Sequence, residues 1–355
     1  MRSDVVDCGP GSAVVSAINR FSNRGKRKSE TPRQLRLHLL ALIFVLTVTA
    51  RALAQDATFT RIESPDGNGT VTYLFDINDR GDMVGAYNAA PNGHRYGFQR
   101  SRDGEFTRID FPGSFRTHAD GINRRGDIVG WYARVAGEFH GFLLSRGEFT
   151  SIDVPGAMGT KAIGINRRNE IVGFYCLVTP PACGKDQKNA HGFLFSDGEL
   201  TTIDVPGALA TEAYKINARG QILGSYVGPE GRSHLFLLSE GEFTTIDVAG
   251  ALETGVDGTN AGLNSRGDIA GDYCEAEPCG TFLSGTVHGF LLRDELTTID
   301  VPDAVATSAY GINARGDIVG AAQMDASHVA GFLRSMREPD RNEENEDDTG
   351  PRSKD

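Results

Sequence analysis

The chain has 355 residues, is 39% hydrophobic, contains 44 glycines and carries a formal net charge of −11. Length alone permits two domains, but folds built from many short strands often exceed 250 residues as one domain. The first 54 residues carry a net charge of +6, which leaves −17 on the remainder. The net negative charge of residues 55–355 repels other anions. It therefore excludes nucleic acid and anionic membranes as partners attracted by the overall electrostatic field of the chain.

The N-terminal segment has the features of an export signal. A basic stretch precedes the 12 apolar residues Leu39–Ala50, and Ala52-Leu53-Ala54 follows as a small-residue cleavage site. An apolar run of this length is too short to span a bilayer. We therefore predict a signal peptide over residues 1–54, the alternative being an uncleaved N-terminal anchor. Cleavage would leave no membrane segment and would place the protein outside the cell or in the periplasm.

Residues 55–335 contain six copies of one unit. Each copy has an asparagine in a Gly-Ile-Asn-x-Arg-Gly-Asp-like turn, and these anchor asparagines are Asn78, Asn123, Asn166, Asn217, Asn264 and Asn313. The second copy predicts four short strands, A to D, over Ala119–Asn123, Asp127–Tyr132, His140–Ser145 and Glu148–Val154. Strands B and C have apolar residues at consecutive positions, which indicates burial on both faces.

The two ends of the repeat region complement each other. The repeat region opens with a lone D strand, Phe59–Glu63, and closes with predicted strands A, B and C that no D strand follows. These last three strands are Ala309–Asn313, Asp317–Ala321 and Gly331–Ser335. The N-terminal strand can therefore complete the last set. This permutation favours an all-β six-bladed β-propeller of four-stranded blades, closed by the N-terminal strand, over the alternative β-solenoid, which would need polar caps.

Three copies carry the fullest form of the pattern. They are Gly121–Gly130 with His140-Gly141-Phe142, Gly164–Gly173 with His191-Gly192-Phe193, and Gly311–Gly320. The pattern resembles the HAF family of extracellular repeat proteins, in which a His-Ala-Phe-Leu segment follows a Gly-Ile-Asn-x-x-Gly-x-Val-Val-Gly segment. Glycine replaces the family's alanine here, Lys215 and Leu263 interrupt two triplets, and Tyr96 and Ala330 replace histidine. The resemblance implies repeat architecture and an extracellular setting, and it brings no established catalytic residue.

The C-terminal tail differs in composition from the repeats. Residues 336–355 are rich in Glu, Asp and Asn and have no apolar period. We predict that this acidic tail is disordered.

Four cysteines of the repeat region occupy matched places. Cys176 and Cys274 each follow a B strand, and Cys183 and Cys279 come seven and five residues later. An even number of cysteines in an exported chain predicts disulfides, here Cys176–Cys183 and Cys274–Cys279. The alternative is a metal site shared by the two loops.

The Asn-x-Arg-Gly-Asp turns also resemble calcium loops. Each copy, however, places an arginine where a calcium loop needs an oxygen ligand. The pattern therefore favours a turn capped by asparagine, with glycine at positive φ. We predict no metal and no cofactor.

Three C strands begin with a histidine that faces an aspartate of the following D strand. The two-residue turns Arg146-Gly147, Asp197-Gly198 and Glu240-Gly241 set the register of these hairpins. The resulting pairs are His140–Asp153, His191–Asp204 and His234–Asp247. Because the pair recurs from repeat to repeat, we predict a structural role with a buried aspartate, the alternative being metal binding or catalysis.

Function is expected where the repeats differ, because shared residues serve packing and turn geometry. Positions five and three residues before each anchor asparagine vary in charge and size and lie where strand A begins. Trp131, the only tryptophan, ends a B strand on the same face. The predicted ligand-binding residues are His118, Asp120, Trp131, Lys161, Glu212, Tyr214 and Asp257. The alternative is a solvated rim without a ligand.

These observations predict a monomeric, extracellular recognition or scaffold module for a glycan, peptide or surface polymer. The alternative is a polysaccharide hydrolase or lyase that uses Asp120, Glu212 or Asp257 with His118 or Lys161. The sequence has no nucleophile elbow, phosphate-binding loop or zinc-protease motif, so binding is favoured over catalysis and no catalytic residue is assigned. Convergence of the variable residues on one pocket would distinguish a site from a solvated rim.

Overall fold

The computed structural model describes residues 57–64, 71–89, 93–178, 189–256, 261–279 and 286–336. The predicted signal segment and the acidic tail lie outside these ranges, apart from Met336. The compact unit that contains the repeats includes Phe59–Arg334. Within the described ranges, no helix is long and apolar enough to cross a membrane.

The described residues form 25 strands in five sheets. One four-stranded sheet has the order β1 (Ala57–Ile62), β25 (Val329–Met336), β24 (Ile318–Gln323) and β23 (Ala306–Ile312). The eight-stranded sheet comprises β2 (Thr72–Ile77), β3 (Met83–Asn88), β4 (Arg95–Arg100), β5 (Phe106–Ile109), β6 (Arg116–Ile122), β7 (Ile128–Ala133), β8 (His140–Ser145) and β9 (Glu148–Ile152).

The remaining three sheets follow chain order. One contains β10 (Gly159–Ile165), β11 (Ile171–Cys176), β12 (Ala190–Ser196) and β13 (Glu199–Ile203), and the next contains β14 (Ala210–Ile216), β15 (Ile222–Val227), β16 (Ser233–Ser239) and β17 (Glu242–Ile246). The last contains β18 (Glu253–Thr254), β19 (Gly262–Leu263), β20 (Ile269–Cys274), β21 (Val287–Leu292) and β22 (Leu296–Ile299), with both β18 and β19 paired to β20.

The repeated antiparallel meanders have a β-propeller arrangement, which confirms the predicted all-β class. The eight-stranded sheet consists of two such meanders, β2–β5 and β6–β9, joined by a single parallel pair between Arg95 and Arg116. The predicted strand positions hold to within a few residues. Strand β6, for example, begins at Arg116 rather than at Ala119.

Burial explains the apolar runs of the B strands. Every residue of β7, β11, β20 and β24 is buried, as expected for strands covered on both faces. A glycine in each B strand leaves room for the phenylalanine of the neighbouring C strand. A Cβ on Gly130 would lie 2.9 Å from Cζ of Phe142, a residue with no exposed surface. The Val-Gly and Gly-Phe elements of the repeat are therefore packing partners.

The A strands share a β-bulge. The register of five of them shifts around the residue three positions before the anchor asparagine. These bulge residues are Phe75, Asp120, Ile163, Tyr214 and Tyr310. A bulge redirects the side chain of the extra residue. The residue type at this position therefore varies from repeat to repeat, while the backbone geometry that directs its side chain stays the same.

The anchor asparagines connect the repeats. The side-chain Nδ2 of Asn78 donates to the main-chain oxygen of Asn123 at 3.2 Å, and the same bond recurs from each anchor to the next. Asn313 donates in turn to the oxygen of Asn78 at 3.4 Å. Each side-chain oxygen also accepts backbone N–H groups of its own turn, as Asn166 does from Arg168 and Glu170. One residue therefore caps its turn and bonds the neighbouring repeat.

Candidate functional site

A cavity of about 270 Å³ lies at the end of the molecule where strands β6 and β10 begin. Four of the predicted residues line it, namely His118 and Asp120 of β6, Trp131 of β7 and Lys161 of β10. The other lining residues are Phe75, Arg95, Arg116, Phe139, Ile163 and Phe174. We call this cavity the entry pocket. It collects side chains from three consecutive repeats, so the variable positions converge there.

His118 lies between two aromatic rings of the entry pocket. His118 and Trp131 are directly paired residues of β6 and β7, and their ring centroids are 4.1 Å apart. On its other side, the imidazole is 5.5 Å from the ring of Phe75 at an interplanar angle of 16°. His118 is only 6% exposed. This stacking holds the imidazole in one orientation in the wall of the cavity.

The charge of His118 is set by burial and by its cationic neighbours. Burial lowers its pKa well below 6.5, and Arg95, Lys161 and Arg116 lower the pKa further. Arg95 donates from Nη1 to Nε2 of His118 at 3.3 Å, since a guanidinium group cannot accept. The neutral imidazole therefore carries its proton on Nδ1, which faces Oδ1 of Asp120 at 4.0 Å.

Lys161 points its ammonium group into an aromatic cage. Its Nζ lies 4.8 Å from the centroid of Trp131, 4.7 Å from that of Phe139 and 5.1 Å from that of Phe174. Cation–π attraction of this kind stabilises a partly desolvated ammonium group. Burial lowers the pKa of Lys161, whereas Glu212 and Asp120 oppose that shift. No carboxylate of the described residues is within 4.0 Å of Nζ of Lys161.

Two arginines complete the lining of the entry pocket. Arg95 and Arg116 are the paired residues that join the two halves of the eight-stranded sheet. Burial lowers the pKa of Arg95, and the nearby charge of Arg116 lowers it as well. Arg95 is held by Asn88, whose Oδ1 accepts from Nε at 2.7 Å. Neither arginine forms an ion pair with a carboxylate of the described residues.

Glu212 and Tyr214 do not line the entry pocket. Oη of Tyr214 donates to Oε2 of Glu212 at 3.0 Å and lies 2.6 Å from Oγ of Ser225. Burial raises the pKa of Glu212 to about 7, against the opposing effects of Lys161 and Tyr214. Asp272 is another buried carboxyl, and burial raises its pKa to about 6. The remaining predicted ligand residue, Asp257, lies outside the described residues.

An ion pair lies deeper in the molecule, where other repeats have glycine. Asp76 and Lys215 both stand two residues before an anchor asparagine, and Nζ of Lys215 is 3.3 Å from Oδ2 of Asp76. The ammonium group also donates to the main-chain oxygen of Asp120 at 3.1 Å. The equivalent glycines cannot be replaced freely, since a Cβ on Gly164 would meet the main-chain oxygen of Tyr214 at 2.4 Å.

The opposite ends of the A strands line a second cavity, of about 320 Å³. Its wall is formed by the six anchor asparagines, by the residues on either side of them, and by Asp76 and Lys215. We call it the turn pocket. Five turn arginines bind the acidic residue two positions on, as Arg80 does with Asp82 at 2.9 Å. Most of its wall is thus built from residues that the repeats share.

The repeated histidines lie outside both cavities. Nδ1 of His140, His191 and His234 lies 3.0, 3.0 and 2.8 Å from Oδ1 of Asp153, Asp204 and Asp247, respectively. His288 and Asp300 form a fourth such pair at 2.9 Å. The expectation of a buried aspartate is wrong, because the side chain of Asp247 is 48% exposed. The D strand is an outer strand of its sheet, so its polar ends face solvent.

The cysteines lie in loops after the B strands. Cys274 and Cys279 form the predicted disulfide, with Cα atoms 5.8 Å apart. Cys176 is also disulfide-bonded, and its predicted partner Cys183 lies outside the described residues.

A groove of larger volume is a different feature. A groove of about 850 Å³ is lined by turn and strand residues between Gln99 and Asn169. Its principal carboxylate, Asp127, already accepts from Arg125 and Ser145. Because this carboxylate is already engaged, whereas the entry pocket has cations without a carboxylate partner among the described residues, the smaller entry pocket is the better candidate site.

Sequence reasoning missed the two arginines and most of the aromatic cage. Arg116 stands seven residues before its anchor asparagine, a column that also contains Asp257. Phe174 and Asp272 occupy the same place in their B strands as Trp131, and Arg95 aligns with Phe139 just before strand C. A search that included every member of the columns containing Asp257, Trp131 and Phe139 would have found all of them.

Comparisons with known proteins give only distant likenesses. No family model and no curated protein matches the chain. A mutant of the Aleuria aurantia lectin, in complex with Fucalpha1-6GlcNAc, is 12% identical with a TM-score of 0.47, covering 74% of this chain and 91% of that one. The β-propeller domain of the Trilobed protease from Pyrococcus furiosus is 12% identical with a TM-score of 0.40, covering 76% and 95%. Likenesses this remote transfer no ligand or activity.

Proposed function

We propose that this chain is an extracellular six-bladed β-propeller that recognises a glycan through the entry pocket. Six anchor asparagines whose bonds run from Asn78 to Asn313 and back support six blades. In this proposal, the eight-stranded sheet is two blades joined by one pair, and β1 closes the ring beside β25. The predicted export signal and the disulfides at Cys176 and Cys274 support an extracellular setting.

The observation that carries the ligand class is the composition of the entry pocket. Stacked rings at Trp131 and His118 offer an apolar wall, while Arg95, Arg116 and Asp120 offer donors and acceptors beside it. A few converging polar groups beside aromatic rings suit a ligand that has both apolar and hydroxyl-bearing faces. A sugar ring has both. The pocket volume of about 270 Å³ suits one terminal sugar unit rather than a long polymer segment.

The test is binding to a glycan array, followed by calorimetry on the best ligand. Lys161→Met removes the caged charge but keeps an unbranched apolar chain among the three rings, so the fold should survive. We expect this variant to lose at least tenfold in affinity. The matched control is Arg167→Gln, which removes an exposed cation at the turn pocket and should bind as wild type does. Equal loss in both variants, or loss only in the control, would place the ligand elsewhere.

One observation favours a second function, hydrolysis or lysis of a polysaccharide. The pKa of about 7 for Glu212 suits a general acid or base near neutral pH. Glu212 is buried and does not line the entry pocket, however, so a substrate held there would not contact it. The check is to incubate array ligands with the protein and measure new reducing ends. Turnover by wild type but not by Glu212→Gln would establish the enzyme, and bound but unchanged ligands would support recognition alone.

A further inference from the structure

The entry pocket combines three cations with a single carboxylate. Arg95, Arg116 and Lys161 line it together with Asp120, while His118 is neutral because burial and its cationic neighbours lower its pKa. The lining therefore carries two more positive than negative charges. This contrasts with the chain as a whole, whose formal net charge is −11. The excess is local and is not a consequence of composition.

Several other cations of the described chain are compensated by a carboxylate. The buried Lys215 is paired with Asp76, and five turn arginines are paired with a carboxylate two residues on. Among the described residues, Arg95, Arg116 and Lys161 have no such partner within 4.0 Å. Partly buried charges without a counter-ion are unfavourable. The entry pocket thus brings three cations together in one cavity with no carboxylate partner within 4.0 Å among the described residues.

The backbone also forces two of these charges together. The single parallel pair between β4 and β6 sets Arg95 beside Arg116, and the charge of Arg116 lowers the pKa of Arg95. An anion placed between them would replace repulsion with two charge-assisted hydrogen bonds.

Two of the three cations, Arg95 and Lys161, are held in place by neutral groups. Arg95 donates through Nε to Asn88 and through Nη1 to His118, which leaves other donors of its guanidinium group for a ligand. Lys161 is held by the faces of Trp131, Phe139 and Phe174. Neutral acceptors and aromatic faces orient a cation without neutralising it. This arrangement preorganises the pocket for an anion.

We propose that the entry pocket binds the anionic group of a terminal acidic sugar, with Arg95, Arg116 and Lys161 as its counter-ions. This inference rests on the proposed glycan recognition and specifies its ligand class. The sugar ring lies among the aromatic side chains of the lining, and the acidic substituent faces the two guanidinium groups. The substituent is a carboxylate or a sulfate ester, since both present the oxygens that arginine recognises.

The experiment compares ligands that differ only in charge. Calorimetry is performed with an oligogalacturonate, its methyl ester, a sulfated neutral oligosaccharide, the unsulfated parent and inorganic sulfate. We expect one acidic oligosaccharide to bind at least tenfold tighter than its neutral counterpart, with affinity that falls as salt is raised. Comparison of the oligogalacturonate with the sulfated oligosaccharide shows whether the pocket recognises a carboxylate or a sulfate ester.

The variant for this test is Arg116→Gln, because Arg116 is exposed and its loss should leave the fold intact. It should abolish the preference for the acidic ligand. Its matched control is Arg134→Gln, which removes another exposed arginine that stacks on Phe111 and Tyr132 outside the pocket. The control should retain the preference.

The outcomes separate the two proposals. If neutral sugars bind as tightly as acidic ones, or if Arg116→Gln keeps the preference, the acidic-ligand inference is wrong while glycan recognition stands. If no saccharide binds but inorganic sulfate does, the anion site stands and glycan recognition is wrong. If neither binds, both proposals fail.

Discussion

The two ends of the A strands differ in what the repeats hold constant. The turn pocket is lined by anchor asparagines that bond from repeat to repeat, and turn arginines next to its lining residues in sequence pair with a carboxylate, as Arg168 does with Glu170. The entry pocket is lined by residues that change in every repeat, and its cations lack such partners among the described residues. Between the two ends, Lys215 meets Asp76. The comparison teaches that the residues shared by the repeats build the fold, while the residues that differ between repeats line the candidate site.

The largest effect is expected at the ion pair between the two ends. Lys215→Met leaves Asp76 buried without its counter-ion, which should lower the free energy of unfolding by about 3–5 kcal/mol. Urea denaturation at neutral pH measures this loss. Asp76→Asn/Lys215→Met removes both charges and should recover most of it. An unchanged urea midpoint in the single variant would show that the pair does not stabilise the molecule.

The Lys215→Met variant should also respond to acid. Burial already raises the pKa of Asp76, and loss of Lys215 removes an interaction that lowers it. A carboxyl whose folded pKa exceeds its unfolded value stabilises the fold while protonated and loses that contribution as pH rises. The variant should therefore regain stability as pH falls toward the raised pKa of Asp76. A variant that is destabilised equally at all pH values would contradict this explanation.

The second prediction compares the buried carboxyl of Glu212 with the partly buried carboxyl of Glu170. The pKa of Glu212 is about 7 in the folded protein against an ordinary 4.5, so its contribution to stability is present below about 4.5 and is lost as pH rises to 7. Because a tenfold change in an acid dissociation constant corresponds to about 1.4 kcal/mol, the loss should be about 3 kcal/mol. Urea denaturation from pH 5 to pH 8 should show this slope in wild type and a flatter one in Glu212→Gln.

Glu170, in a turn at the other end, is the matched control. Its partial burial would raise its pKa, but hydrogen bonds from Arg168 and Asn166 outweigh burial, and the pKa is lowered. Glu170 should therefore lose its contribution as pH falls, which is the opposite sign. If the free energy of unfolding depended on pH in the same way in Glu170→Gln and Glu212→Gln, the proposed electrostatic difference between the two ends would be wrong.

The third effect separates stability from binding. Asn166→Ala removes the bond to the main-chain oxygen of Asn217 and the cap on Arg168 and Glu170, and should cost about 1–3 kcal/mol. Its ligand affinity should equal that of wild type. Lys161→Met should show the reverse, lower affinity without loss of stability. Thermal denaturation measures the stability of both variants, and calorimetry measures their ligand affinity. If each variant lost both stability and affinity, the proposed separation between the two ends would be wrong.

The smallest effect is expected at the outer histidines. His234→Ala breaks the pair with Asp247 and a second contact with Glu230, but all three side chains are partly exposed. Pairs of this kind contribute about 0–1 kcal/mol, so the urea midpoint should move little and ligand affinity should not change. His191→Ala serves as a second example of the same pair. A loss above about 2 kcal/mol, or a loss of binding, would give these histidines a larger role.

Much of the fold could be predicted because its determinants are local in the sequence. Arg146 and Gly147 both have positive φ, as the two-residue hairpin turn required. The runs of apolar residues in β7 and β11 indicated strands buried on both faces, and both strands are fully buried. Part of the candidate site followed from the same logic. His118 and Lys161 were found because they interrupt a periodic pattern.

The sequence by itself determined the repeat, its turns, its strands and the columns in which the copies differ. Only the tertiary structure decided which members of those columns meet. It set Arg95 beside Arg116 through one parallel pair, placed Lys161 against three aromatic rings, and left Glu212 out of the pocket lining. It also joined Asp76 to Lys215 across 139 positions of sequence. The physical reason is that turns and strands depend on neighbours in the chain, whereas charge pairing and pocket lining depend on how bulged strands from distant repeats converge.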